Sequence, residues 1–182
     1  MEFESWVDEY SNLLFRYTLT RVSGRENAED LVQETFIAAW RNRHNFREEV
    51  SIKNWLFTIL KSRIIDHYRK CARKPDLKHA ELKDQYFNES GHWAESAMPE
   101  PWNKSTDEAL ETAEFMSVLK ACKDKLKETQ NAVFTMKHLD GMETDEICKE
   151  LEITSSNYWV LMHRAKLQLR ECLEKNWFGI LK

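Results

Sequence analysis

Apolar residues recur at helical spacing along most of this chain, and little interrupts them. Four glycines and three prolines in 182 residues are too few for the many turns of an all-β fold. Phe3, Trp6, Val7, Tyr10, Leu13, Leu14 and Tyr17 trace one face of a first helix, which Ser23-Gly24 breaks. A second helix is expected over 28–43, with Leu31, Val32, Thr35, Phe36, Ala39 and Trp40 as its stripe and acidic residues at its positive end. A polar break over 44–51 precedes a third helix at 52–70, whose buried side is Ile52, Leu56, Ile59, Leu60, Ile64 and Tyr68. Three such helices can bury a shared core and so make one domain.

Residues 72–108 change character. Pro75, Pro99 and Pro101 all lie here among acids and polar residues with no sustained period. This stretch reads as a linker with one short helix at 78–86, because so long a structureless segment does not belong inside a compact domain. Its aromatics (Tyr86, Phe87, Trp93 and Trp102) are unusual for a free tether and imply docking, on this protein or on a partner. Helices resume at 106–125, 128–139, 144–151 and 154–175, the last capped by Thr154. The expected fold is all-α: two small helical domains, 1–74 and 109–182, joined by an acidic linker, 75–108.

Several classes drop out. No apolar run reaches the ~18 residues of a membrane span, and Met1 to Trp6 are too acidic for a signal peptide. Cys71, Cys122, Cys148 and Cys172 are widely spaced and form no C-x-x-C, so neither a disulfide framework nor a Cys-rich zinc module is expected, and the setting is a reducing cytoplasm. His67 and Cys71 lie one helical turn apart and could share a metal, but isolated helical cysteines are more often small core residues, so no metal or cofactor is expected. A phosphate-binding glycine loop, H-E-x-x-H and G-x-S-x-G are all missing, which makes an enzyme the weakest reading.

The net charge of −4 conceals an uneven distribution. Residues 76–112 carry −6, whereas residues 53–74 carry +6, with Asp66 the single acid among Lys53, Lys61, Arg63, Arg69, Lys70, Arg73 and Lys74. Such a stripe suits a phosphate backbone, or is a solvated helix face. Residues 144–175 offer a second nucleic-acid signal: a short helix, a tight turn and a longer helix, the helix-turn-helix pattern. On the longer helix Tyr158, Met162, Ala165, Leu169 and Cys172 share a core face, while Trp159, His163, Lys166 and Arg170 share another, with Arg164 at its flank.

Two blocks of residues also carry a family resemblance. Asp140-Gly-Met-Glu-Thr-Asp-Glu-Ile147, Leu151-Glu-Ile-Thr154, His163-Arg-Ala-Lys166 and Leu169-Arg170 resemble region 4 of bacterial sigma factors. Ala28-Glu-Asp-Leu-Val-Gln-Glu-Thr-Phe36, Ala39-Trp-Arg41, Trp55-Leu56 and Ile65-Asp-His-Tyr-Arg69 resemble region 2. Both blocks in this order, with a linker in place of the intervening domain, is the layout of an extracytoplasmic-function (ECF) sigma factor.

The resemblance implies a protein that binds core RNA polymerase, directs it to promoter DNA and helps open the duplex. It places core-polymerase contacts at Asp30, Gln33, Glu34, Trp40 and Arg41, with Phe36 more a core residue than a contact. For the minus-ten single strand it implies Phe46 in the loop and Ser62 on the helix as a base pocket, where many relatives carry Asn in place of Ser62. Lys61, Arg63, Arg69 and Lys70 would hold the backbone there, and Trp55 reads as core. For the minus-35 duplex it implies Ser155, Ser156, Asn157, Trp159, Val160, His163, Arg164 and Lys166. Trp159, Val160 and Leu161 replace the usual polar readers, so this face either reads thymine methyls or shape, or meets protein, an anti-sigma factor being the family's usual inhibitor. Glu152 occupies a turn position that is often Gly.

Overall fold

The computed structural model describes residues 3–46, 50–73, 86–87, 93–98, 108–177 and 179. Seven α-helices account for most of them: α1 Phe3–Leu19, α2 Arg25–Asn42, α3 Ile52–Ala72, α4 Glu108–Lys123, α5 Glu128–His138, α6 Thr144–Leu151 and α7 Ser155–Asn176. Among the described residues no strand occurs; Phe87 and Trp93 form an isolated bridge. All but the last residue of the helix expected at 78–86 lies outside the described residues.

The helix ends follow local chemistry. Gly24 adopts φ 84°, a conformation that costs glycine nothing, and Asn27 donates to the Ser23 carbonyl at 2.7 Å, so α2 starts at Arg25, three residues before the expected start at Ala28. Ser51 caps α3 by accepting from the Asn54 N–H at 3.3 Å, and Thr154 caps α7 by accepting from the Asn157 N–H at 3.2 Å. Glu152, between α6 and α7, sits in the left-handed region at φ 56°, ψ 40°, as its glycine-like position in the turn suggested. Its N–H still closes on the Lys149 carbonyl at 3.3 Å.

Helices α1 to α3 bury Leu14, Val22, Leu31, Val32, Leu56, Leu60 and Tyr68, and helices α5 to α7 bury Val133, Met136, Ile147, Leu151, Tyr158 and Met162. The two sets form one continuous core, because α3 packs on both α5 and α6. A smaller cluster of Cys122, Leu126, Ala165 and Leu169 lies between α4 and α7.

That smaller cluster corrects one expectation. Cys122 of α4 and Cys172 of α7 form a disulfide, with Cα atoms 5.7 Å apart. Fifty residues separate them in sequence, and only the packing of two apolar helix faces brings them together. Cys71 and Cys148 are not disulfide-bonded.

Polar contacts set the register between the N-terminal and C-terminal helices. Arg21 Nη2 pairs with Asp140 Oδ1 at 2.7 Å. Glu128 accepts from the Ser23 N–H at 3.2 Å and lies 3.2 Å from His67 Nε2. Arg69 donates to the Glu150 carbonyl at 2.5 Å and to its carboxylate at 2.6 Å, and Arg73 pairs with Glu152 at 2.8 Å. Lys123, buried on α4, donates to the Thr20 carbonyl at 2.8 Å and to Thr135 Oγ1 at 2.9 Å.

Candidate nucleic-acid interface

Helix α2 separates its two faces cleanly. Leu31, Val32, Thr35, Phe36, Ala38 and Ala39 are buried. Asp30, Gln33, Glu34, Trp40 and Arg41 are all exposed and share the opposite strip. Trp40 is 48% exposed although it belongs to the apolar stripe, and it is held by the edge of Phe3 at 5.0 Å and by the Arg43 guanidinium 3.7 Å above its ring. Ile37, 51% exposed, joins this strip and was not among the sequence candidates. A large β-branched residue on the polar side of a helix was the signal that would have found it. Phe36 is core, as expected.

The segment after α2 delivers Phe46 onto an aromatic cluster. Its ring lies 5.1 Å from Trp55 and 6.0 Å from Trp6. Trp6 is buried, while Phe46 and Trp55 are half-buried. Ser62 is exposed two turns further along α3 than Trp55, about 10 Å along the axis. Lys61 and Lys70 are exposed, and Arg63 is half-buried. Arg69 departs from the expectation that it would be offered to DNA: its guanidinium binds Glu150 and, at 3.1 Å, Asp66. A cleft of about 410 Å³ places Asp30 and Glu34 of α2 opposite Arg63 and Lys70 of α3 and Arg73 just past its end.

Helices α6 and α7 form the helix-turn-helix. Ser155, Ser156, Asn157 and Trp159 are exposed at the start of α7, and Val160, His163, Arg164 and Lys166 are half-buried. Leu161 is core rather than part of an apolar surface patch, because it faces the same side as Tyr158 and Met162. Burial lowers the pKa of the Lys166 ammonium.

The face of α7 expected to be open to DNA is partly covered by the linker. Phe87 stacks on His163 with ring centroids 4.0 Å apart and planes 3° from parallel, and Trp93 stacks on Phe87 at 4.7 Å. Arg170 lies over Trp93 at 5.3 Å and donates to the Ala97 carbonyl at 2.6 Å. Phe87 and Trp93 therefore dock on this protein, one of the two alternatives the sequence left open, while Trp102 lies outside the described residues. Among the described residues no group of three His, Cys, Asp or Glu side chains is placed to hold a metal ion, and no helix is long and apolar enough to cross a membrane.

Known proteins show similarity over both helical units. Residues 6–74 match the family described as Sigma-70 region 2, and residues 117–169 match the one described as Sigma-70, region 4. A protein of Haemophilus influenzae described as a probable RNA polymerase sigma factor is 33% identical over 165 residues, covering 89% of this chain and 84% of that one. The Bacillus subtilis RNA polymerase sigma factor YlaC is 27% identical, with 96% of this chain and 91% of that one covered. Among solved structures, the sigma factor RpoE of Bartonella quintana, in complex with the anti-sigma factor NepR, aligns at 22% identity with a TM-score of 0.43, covering 96% of this chain and 98% of that one.

Proposed function

Because the chain belongs to the sigma-70 family of RNA polymerase sigma factors, in its extracytoplasmic-function group, we propose that its two helical units divide promoter recognition between them. It acts as an initiation factor in the cytoplasm, positioning polymerase on promoter DNA and carrying out no chemistry of its own. Residues 1–74 grip the polymerase and read the minus-ten element, residues 75–108 are the linker, and residues 109–182 read the minus-35 element.

One observation carries this reading: α2 offers a continuous exposed strip of Asp30, Gln33, Glu34, Ile37, Trp40 and Arg41, while every other apolar position of that helix is packed. A strip mixing acids, an amide, an arginine and two large apolar residues has the composition of a protein interface rather than a solvated helix face. Phe46, Lys61, Ser62, Arg63, Arg69 and Lys70 would hold the melted strand, the aromatic ring against a base and the cations on phosphates. Ser155, Ser156 and Asn157 would take backbone phosphates, and Trp159, Val160, His163, Arg164 and Lys166 would face the groove. An anti-sigma factor is the expected inhibitor, docking on the exposed Trp159. A Trp159→Ala chain that bound such an inhibitor as tightly as before would remove that surface.

The test is run-off transcription with purified core polymerase on a template bearing the promoter of this protein's own gene. A discrete transcript is expected with the protein and none with core alone. An Asp30→Ala/Glu34→Ala chain should lose core binding and transcript together while remaining folded. If that double variant bound core and initiated as well as the parent, the α2 strip would not be the polymerase contact.

A further inference from the structure

We propose that Cys122 and Cys172 are a reversible oxidation site, a dithiol that a hydroperoxide closes into the observed disulfide and a dithiol reductant reopens. The two sulfurs sit in different surroundings. Cys122 is 2% exposed and packs among Leu126, Ala165 and Leu169. Both cysteines border a shallow recess of about 290 Å³ that they share with Lys125, Gln168, Glu171, Lys175 and Asn176, but Cys172 is the more exposed of the two. Lys125 Nζ lies 3.8 Å from Cys172 Sγ, and the Asn176 side-chain amide lies 3.3 Å from it. A cation and an N–H donor beside a partly exposed sulfur favour its thiolate, the form that attacks oxidants. Cys172 is therefore the attacking thiol and Cys122 the resolving one.

The chemistry balances. The Cys172 thiolate attacks one peroxide oxygen, the O–O bond breaks, and a sulfenic acid and hydroxide result. The Cys122 thiol then attacks the sulfenic sulfur, the S–S bond forms and water leaves. The net change is two thiols and one hydrogen peroxide to one disulfide and two waters. Two exchanges with a dithiol reductant reverse it. The apolar packing of Val118, Leu119, Leu126, Leu169 and Leu173 keeps α4 on α7 independently of the bond, so the thiols stay within reach of each other when reduced. Cys148 is the contrasting case: burial and Asp145 raise its thiol pKa, which suppresses its thiolate.

The test uses the full chain, reduced with dithiothreitol, desalted and treated with hydrogen peroxide. The four thiols of the reduced protein should fall to two, peptide mapping should find the link between Cys122 and Cys172, and the thermal midpoint should rise by several degrees. Dithiothreitol should restore all four thiols. In Cys122→Ser the sulfenic acid should persist at Cys172 and be trapped by dimedone, whereas Cys172→Ser should yield no trapped species at residue 122. Four thiols surviving peroxide, a link between other cysteines, or a Cys122–Cys172 bond that resists dithiothreitol would each overturn the proposal.

Discussion

Lys123 is a charged residue placed where water is largely excluded. Burial, and secondarily the Arg21 charge, lower its pKa from 10.5 to about 8. The folded protein thus holds this proton less tightly than the unfolded chain. Below pH 8 the cost of the buried charge is present in full. Between about pH 8 and 10.5 the unfolded chain binds more protons, so this residue makes stability rise with pH, by at most roughly 3 kcal/mol over the interval. Denaturant titrations of the parent and of Lys123→Met between pH 7.5 and 9.5 should show this rise as the difference between the two chains. Parallel curves would mean that Lys123 titrates normally. Nothing in the sequence marked Lys123: its partners Thr20 and Thr135 belong to α1's end and to α5, and a lone lysine on a helix ordinarily faces solvent. Glu152 was legible only through the family resemblance, which puts it at a turn position often held by Gly; the structure places it in the left-handed region.

At the scale of elements, the linker covers part of the α7 face proposed to meet DNA. The Phe87 ring occupies the His163 face that duplex DNA would need. Phe87→Ala removes the stack and should raise affinity for a minus-35 duplex about 2- to 10-fold, the range a stacked aromatic pair is worth. Fluorescence anisotropy with a labelled duplex measures it, and unchanged affinity would show that the linker leaves DNA binding untouched. Helices α5 to α7 were readable almost to the residue, since their apolar spacing, the Gly141 break and the Thr154 cap are all local signals. The linker's docking was readable only as an excess of aromatics. Its address on α7 depends on which side of that helix the core leaves outward. The same limit hid the Cys122–Cys172 pair: Cys172 could be placed on the apolar stripe of its helix, but nothing in the sequence set Cys122 against it.

On the scale of the whole molecule, the two helical units close against each other through pairs more than 60 residues apart in sequence, among them Arg21–Asp140, His67–Glu128 and Arg69–Glu150. No local pattern foretells such contacts, so the order of the domains could be read from the sequence but their apposition could not. In this closed state Arg69 is held by Glu150, so for Arg69 to grip the minus-ten strand as proposed the units would have to part. A compact chain of 182 residues has a radius of gyration of about 16 Å. Arg21→Ala/Arg69→Ala should raise it above ~20 Å in small-angle X-ray scattering at moderate salt, still below the unfolded dimension. A double variant as compact as the parent would assign closure to the apolar contacts of α3 with α5 and α6 alone.

The Arg21 carbonyl oxygen has a part in how such an opening ends. It accepts the Tyr68 hydroxyl at 2.7 Å from its own unit and the Asn131 amide at 2.8 Å from the other. When the units separate, Tyr68 keeps its hold and the vacated lone pair turns to water, so the parted surface strands no backbone acceptor. The end of α1 therefore needs no rebuilding before the next encounter. On reclosure Asn131 would meet the same oxygen, still held in place by Tyr68, so the register would be set by an acceptor that opening leaves unmoved.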